Sequence, residues 1–254
     1  MAGGWIDSHC HLFMTEDPVD AVLARAAAGG VERFMCPGVD LETSLQARRV
    51  AADHPDRVWW AAGLHPHEAD RWEEEQGRLE ALIRDADAVG EIGLDYYRDL
   101  SPRDDQRRAF QAQLDLAATL GKPALIHTRD AFADVYEMVA AAGLGERAVL
   151  HCWTGGPRWT KRFDQLGVTF SFAGPVAFPN GDTVRRAAAV APRDRTMVET
   201  DTPYLAPPPH RGGPNEPAFV PLVGAALAEV WGVDPAEVAA ASTATAVRIY
   251  RGGT

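Results

Sequence analysis

The sequence is short of lysine, of cysteine and of long apolar runs, and each shortage excludes something. Cys10, Cys36 and Cys152 are the only cysteines, an odd number too small for a disulfide framework, so a reducing, cytoplasmic setting is expected. Uninterrupted apolar stretches such as Val238 to Ala241 fall far short of the roughly 18 residues a membrane-spanning helix needs. Met1-Ala2-Gly3-Gly4-Trp5 has no basic segment followed by an apolar one, which argues against a secretory signal. The formal net charge of −11 speaks against tight, sequence-independent coating of nucleic acid. It does not exclude a nucleic-acid substrate, because a metal ion and a few arginines can create local positive potential in an acidic protein. Lys122 and Lys161 are the only lysines, which matters for the bridging group considered below.

What is present is a patterned chain. Apolar residues make up 46% of its 254 positions, enough for a sizeable core, and an α/β barrel typically needs about 250 residues. No linker or low-complexity tract divides it, so 1–254 is read as one domain. Strand candidates are Trp5 to His9, Arg33 to Cys36, Val58 to Gly63, Ala88 to Leu94, Pro123 to His127, Ala148 to Cys152, Val168 to Phe172 and Thr196 to Glu199. Helix candidates between them are Val19–Gly29, Leu41–His54, Trp72–Asp85, Arg103–Leu120, Ala131–Ala142, Trp159–Leu166 and Asp182–Val190. Pro217–Trp231 and Pro235–Tyr250 follow as two further helices. Local signals agree: Pro102, Asp104 and Asp105 open one helix, Gly121 closes it, and Asp234-Pro235 opens the last. Eight strands in βα order fit a (β/α)8 TIM barrel with additional C-terminal helices. An open doubly wound sheet competes, but no Gly-x-Gly-x-x-Gly follows the first strand.

Metal-type side chains recur at the strand ends. His9 and His11 end the first candidate, Glu91 lies near the end of the fourth, His127 ends the fifth, His151 falls near the end of the sixth, and Asp201 follows the eighth. In a parallel barrel these positions open onto one face, the C-terminal mouth where active sites are built. Six imidazole and carboxylate groups make a mixed N/O site suited to several divalent ions. They are too many for one catalytic ion with an open position, and two ions sharing a bridging carboxylate is the simpler account. By strand alternation Asp7, His9 and His11 share a face, so Asp7 could ligate or orient an imidazole, while Cys10 points into packing.

These residues also carry a family resemblance. The chain resembles the TatD family of metal-dependent deoxyribonucleases, within the amidohydrolase-type barrels, over nearly its whole length. The matching stretches are Asp7 to His11, Gly63-Leu64-His65-Pro66-His67, Gly90 to Tyr97, Pro123 to Arg129, His151-Cys152-Trp153-Thr154-Gly155, Glu199 to Pro207 and Arg211 to Pro217. Singly they are weak; in this order and at these separations they are specific. The family more often shows phenylalanine at Trp153. The resemblance implies that His9, His11 and Asp201 hold one ion, that His127 and His151 hold the other, and that Glu91 bridges them. Related barrels often bridge two ions with a carbamylated lysine. Neither Lys122, before the fifth strand, nor Lys161, within a helix, is placed for that.

The expected cofactors are therefore two divalent ions (Zn, Mn, Mg, Ni or Fe). The expected reaction is phosphodiester hydrolysis by metal-activated water, with Asp201 accepting its proton and Glu91 and His65 completing the catalytic set. The resemblance implies DNA as substrate, cleaved as a 3′-5′ exonuclease on single-stranded or damaged strands; neither a membrane nor an obligate protein partner is expected. His65 could bind the scissile phosphate or serve as a structural histidine. Arg129 could grip phosphate or pair with Glu199, and Arg211 and Asn215 occupy a proline-rich loop that suits substrate contact or merely connects elements. His67 and Asp95 divide evenly between supporting and structural roles. Tyr96, Tyr97, Trp153, Trp159 and Tyr204 could stack bases or pack in the core. Two alternatives stand beside the nuclease: hydrolysis of a small-molecule ester, lactone or C–N bond, and a non-catalytic binding barrel.

Overall fold

In the computed structural model, which describes residues 4–251, eight parallel strands follow one another around a barrel in chain order. They are β1 (Trp5–Asp7), β2 (Val31–Pro37), β3 (Val58–Ala62), β4 (Ala88–Asp95), β5 (Ala124–Arg129), β6 (Ala148–Leu150), β7 (Thr169–Phe172) and β8 (Thr196–Val198). Helices α1 (Val19–Ala28), α2 (Leu41–Asp53), α3 (Trp72–Asp85), α4 (Arg103–Leu120), α5 (Phe132–Ala142), α6 (Gly156–Asp164) and α7 (Asp182–Ala188) alternate with them. The helices α8 (Val220–Trp231) and α9 (Pro235–Arg251) follow β8. Met1 to Gly3, part of the stretch that argues against a secretory signal, lie outside the described residues. Among the described residues no single helix is long and apolar enough to cross a membrane.

The barrel closes by bonds just beyond the first and last strands. Ser8 N–H donates to Val198 O at 3.1 Å, Asp201 N–H to His9 O at 2.9 Å and His11 N–H to Thr202 O at 2.9 Å. Strand alternation sorts the apolar residues into two layers. Phe34, Ile92, Ile126, Leu150, Phe170 and Val198 pack under the helices, whereas Met35, Ala61, Leu125, Val149 and Met197 fill the interior. Ala246, Ile249 and Tyr250 of α9 join that interior cluster and plug the N-terminal end, and the Tyr250 hydroxyl reaches into the barrel to donate to Ser8 O at 2.9 Å. The expected caps are present: Gly121 ends α4 with φ 67°, and Asp234 Oδ1 accepts from Ala236 N–H at 2.8 Å as α9 begins.

Three expectations shift. β1 ends at Asp7 and β6 at Leu150, so His9, His11 and His151 sit on the loops that leave those strands. Helix α6 starts at Gly156, ahead of the expected Trp159, because Pro157 is acceptable in a first turn that needs no N–H. Pro217–Phe219 forms a 3₁₀ turn before α8 instead of its first turn.

The fourth strand contains the local feature on which the site depends. Its pairing with β5 slips by a residue between Val89 and Ile92. Val89, Ile92 and Leu94 all face the helices, while Ala88 lies in the barrel interior. Uninterrupted alternation from Val89 would send Glu91 outward; the bulge turns it into the barrel. Gly93 permits β4 and β5 to close around this irregularity: at φ +140°, a Cβ there would lie 2.0 Å from His127 O. Gly93→Ala should therefore destabilise the fold by about 3 kcal/mol or more. Urea unfolding checks this, and an unchanged midpoint would show that β5 yields easily.

Candidate metal centre

The loops leaving β1, β3, β6 and β8, with β4 and β5 themselves, bring the predicted side chains to one mouth. Glu91 is their hub. Its Oε2 lies 3.3 Å from His9 Nε2 and 3.5 Å from His11 Nε2. Its Oε1 lies 2.9 Å from His151 Nε2, 3.2 Å from His127 Nδ1 and 3.3 Å from His65 Nε2. Asp201 Oδ1 stands 3.8 Å from both His9 Nε2 and His11 Nε2. The two carboxylate oxygens thus face different sets of imidazoles. Among the described residues three compact groups could hold a metal ion: His9, His11 and Asp201; His65, Glu91 and His127; and His9, His151 and Glu199.

The far nitrogen of each ring separates candidate ligands from the remaining histidine. His11 Nδ1 donates to Pro37 O at 3.0 Å, His127 Nε2 to Asp95 Oδ2 at 3.2 Å, and His151 Nδ1 to Glu199 Oε1 at 3.3 Å. Each bond fixes one ring proton away from Glu91, so that the near nitrogen engages a cation once the proton it shares with Glu91 is displaced. His65 is reversed: its Nδ1 accepts from His67 N–H at 3.2 Å, so the neutral ring carries its proton on Nε2, facing Glu91. Burial pushes His65 down to about 4, so it is neutral near pH 7.

The donor set fits a bound cation. Both nitrogens of the buried His9 lack a hydrogen-bond partner, an arrangement that costs roughly 1–3 kcal/mol per orphaned group unless an ion engages it. Burial alone would lower His151, yet the flanking Glu91 and Glu199 carboxylates hold it well above the ordinary imidazole range. Burial likewise opposes ionisation of Glu91, but the imidazoles, His151 foremost, outweigh it and hold the carboxyl well below the usual range. Asp201 is pushed well above its usual range, by burial first. Its backbone takes the left-handed conformation, φ 60°, a strained geometry for a non-glycine residue and one that collects at functional sites.

The support given by Glu199 was hidden from sequence reasoning, whereas that of Asp95 was among its expected roles. Glu199 is fully buried and accepts from His151 and from Cys152 N–H at 2.7 Å; the pairing with Arg129, one of the two readings of that arginine, does not form. Its position two residues before Asp201 was the available signal. Asp95 accepts from His127 and from His67 Nε2 at 2.9 Å, so it braces one candidate ligand. Asp7 does not reach an imidazole: with β1 finished, its carboxylate accepts from Thr200 N–H at 2.9 Å and Thr200 Oγ1 at 2.6 Å. Lys122 bonds carbonyl oxygens of Ile83 and Arg84, away from the cluster.

The cluster lies in a cleft of about 860 Å³, with Arg129, Tyr97 and Tyr204 toward its rim. Arg211 stays outside the lining, over the Phe178 ring at 4.2 Å with Asn180 Oδ1 at 3.4 Å. Asn215 is buried and ties Thr200 O at 2.8 Å. Trp153 is core, Trp159 stacks on Phe132, and the Tyr96 hydroxyl donates to Asp134 at 2.6 Å.

The TatD related DNase family model matches residues 6–251. The chain belongs to that family. It is 35% identical over 251 residues to the metal-dependent hydrolase YabD of Bacillus subtilis (strain 168), covering 96% of this chain and 98% of that protein. It is 37% identical over 225 residues to the 3′-5′ ssDNA/RNA exonuclease TatD of Rahnella sp. (strain Y9602), covering 84% and 85% respectively. Among solved structures, YjjV, a TatD homologue from Escherichia coli K12, superimposes with a TM-score of 0.86 at 27% identity, covering 99% of each chain. This TatD-family chain is a metal-dependent hydrolase on a TIM barrel.

Two outcomes follow from the centre. Saturating divalent metal should raise the melting temperature by about 5–10 °C, and His9→Ala should abolish the rise; calorimetry with and without metal checks both. Glu199→Gln, which removes a charge but keeps the shape, should weaken metal affinity by about 10- to 100-fold, measured against a chromogenic chelator.

Proposed function

We propose that this chain, acting as one unit over 1–254, is a cytoplasmic 3′-5′ exonuclease that hydrolyses phosphodiesters of single-stranded or damaged DNA with two divalent ions. The observation that carries the reading is the division of Glu91: Oε2 faces His9 and His11, and Oε1 faces His127 and His151. His9, His11 and Asp201 would hold one ion, His127 and His151 the other, with Glu91 between them; the candidate ions are Zn, Mn, Mg, Ni and Fe. When bound, such ions supply Lewis acidity, lowering the pKa of a water and polarising the phosphoryl group.

The remaining work belongs to the protein. Asp201, whose Oδ1 stands 3.8 Å from both His9 Nε2 and His11 Nε2, would accept the proton of the attacking water. His65 presents Nε2–H to a phosphoryl oxygen, a neutral donor whose tautomer is set by the His67 backbone. Arg129 supplies charge at the rim, while Arg211, beside Asn180, would meet a strand only beyond the cleft. Polymer cleavage is favoured over small-molecule hydrolysis because the cleft ends in exposed side chains, Tyr97, Leu100 and Tyr204, rather than a closed pocket.

Metal-loaded protein should shorten a 5′-labelled single strand stepwise from its 3′ end and spare the blunt duplex. Asp201→Asn should lower kcat by about 100-fold or more with little change in the Kd for the strand. Cleavage of small-molecule esters or amides without cleavage of any strand would replace this reading with the amidohydrolase one.

A further inference from the structure

Among the described residues four large apolar side chains are markedly exposed: Tyr97 at 61%, Leu100 at 65%, Tyr204 at 56% and Leu205 at 37%. All four line the same cleft. Tyr97 and Leu100 leave β4, and Tyr204 and Leu205 leave β8; four strands apart in an eight-stranded barrel, these loops stand on opposite sides of the mouth. The apolar exposure is therefore concentrated in two lips facing each other over the metal centre.

Both lips are pre-ordered. The Arg129 guanidinium covers one face of the Tyr97 ring at 3.9 Å, and Tyr97 N–H donates to Asp95 Oδ1 at 3.0 Å. Tyr204 N–H donates to Asp201 O at 2.9 Å, and Tyr204 O accepts from the buried Asn215 side chain. Rigid backbones carrying exposed rings lose little freedom when a flat partner lands on them. Arg98 and Arg129, both lining the cleft of a chain with net charge −11, add local positive charge beside the first lip.

We propose that Tyr97 and Tyr204 form a base-stacking clamp that grips a single strand on either side of the bond being cut. The proposal rests on the nuclease reading for its substrate and adds a determinant of selectivity. Flat rings with an adjacent cation match the faces and phosphates of unpaired nucleotides; a duplex hides those faces in its own stack. Stacking tolerates any base, so the clamp selects for strandedness rather than sequence.

The test measures binding of a short phosphorothioate-linked oligo-dT strand, and of the same strand with abasic 3′ residues, to the full-length metal-loaded protein. Tyr97→Ala and Tyr204→Ala should each weaken binding of the normal strand by about 5- to 100-fold. The abasic strand should bind wild type and variants alike, and Tyr97→Trp and Tyr204→Trp should restore binding of the normal strand. Equal weakening of both strands, no weakening of either, or an effect confined to self-association of the protein would overturn the clamp. Tyrosine-dependent binding without cleavage of any unmodified strand upholds the clamp and removes the nuclease reading. Stepwise cleavage with binding indifferent to both tyrosines does the reverse.

Discussion

Burial of one carboxylate among five imidazoles governs the rest of this molecule. Glu91 lies almost out of solvent, and an isolated charge there would be strongly disfavoured. Its two oxygens are instead within 3.5 Å of ring nitrogens from His9, His11, His65, His127 and His151. That concentration of donors suits cations and little else. The surrounding fold is arranged to deliver it: the bulge in β4 aims Glu91 inward, and Gly93 lets β5 approach with His127.

Outside this cluster lies a set of acceptors that assigns each ring its task. Pro37 O, Asp95 and Glu199 take the far protons of His11, His127 and His151 and turn their other nitrogens inward, where a cation competes with the remaining protons. His65 has a donor, the His67 amide, in the corresponding position, so its proton faces the centre. One residue type thereby performs two jobs, and the difference lies entirely in the polarity of a neighbouring group. The same separation holds for the whole barrel. Apolar residues and α9 stabilise its N-terminal end, whereas the loops at the opposite end carry chemistry and the exposed lips.

Much of this was legible in the residue order. Alternating apolar runs and amphipathic stretches located all eight strands, and Gly121 and Asp234 marked helix ends correctly because capping is a local interaction. That His9, His11, Glu91, His127, His151 and Asp201 meet at one mouth was legible because strand ends of a parallel barrel share one face. Asp7 was misread for an equally physical reason: alternation applies only while a strand lasts, and β1 stops there. Glu199 was passed over because its partners, His151 and Cys152, are brought to it from the loop after β6.

The sequence by itself determined the barrel, its polarity and the identity of the metal-type side chains, since periodicity and strand-end position are properties of neighbouring residues. Only the tertiary structure decided that Glu91 faces inward despite the alternation of β4, that the far nitrogen of His65 meets a donor where those of its neighbours meet acceptors, and that Tyr97 and Tyr204 remain exposed while Trp153 is buried. Those outcomes depend on a register slip between strands and on contacts across the barrel mouth, which no local pattern encodes.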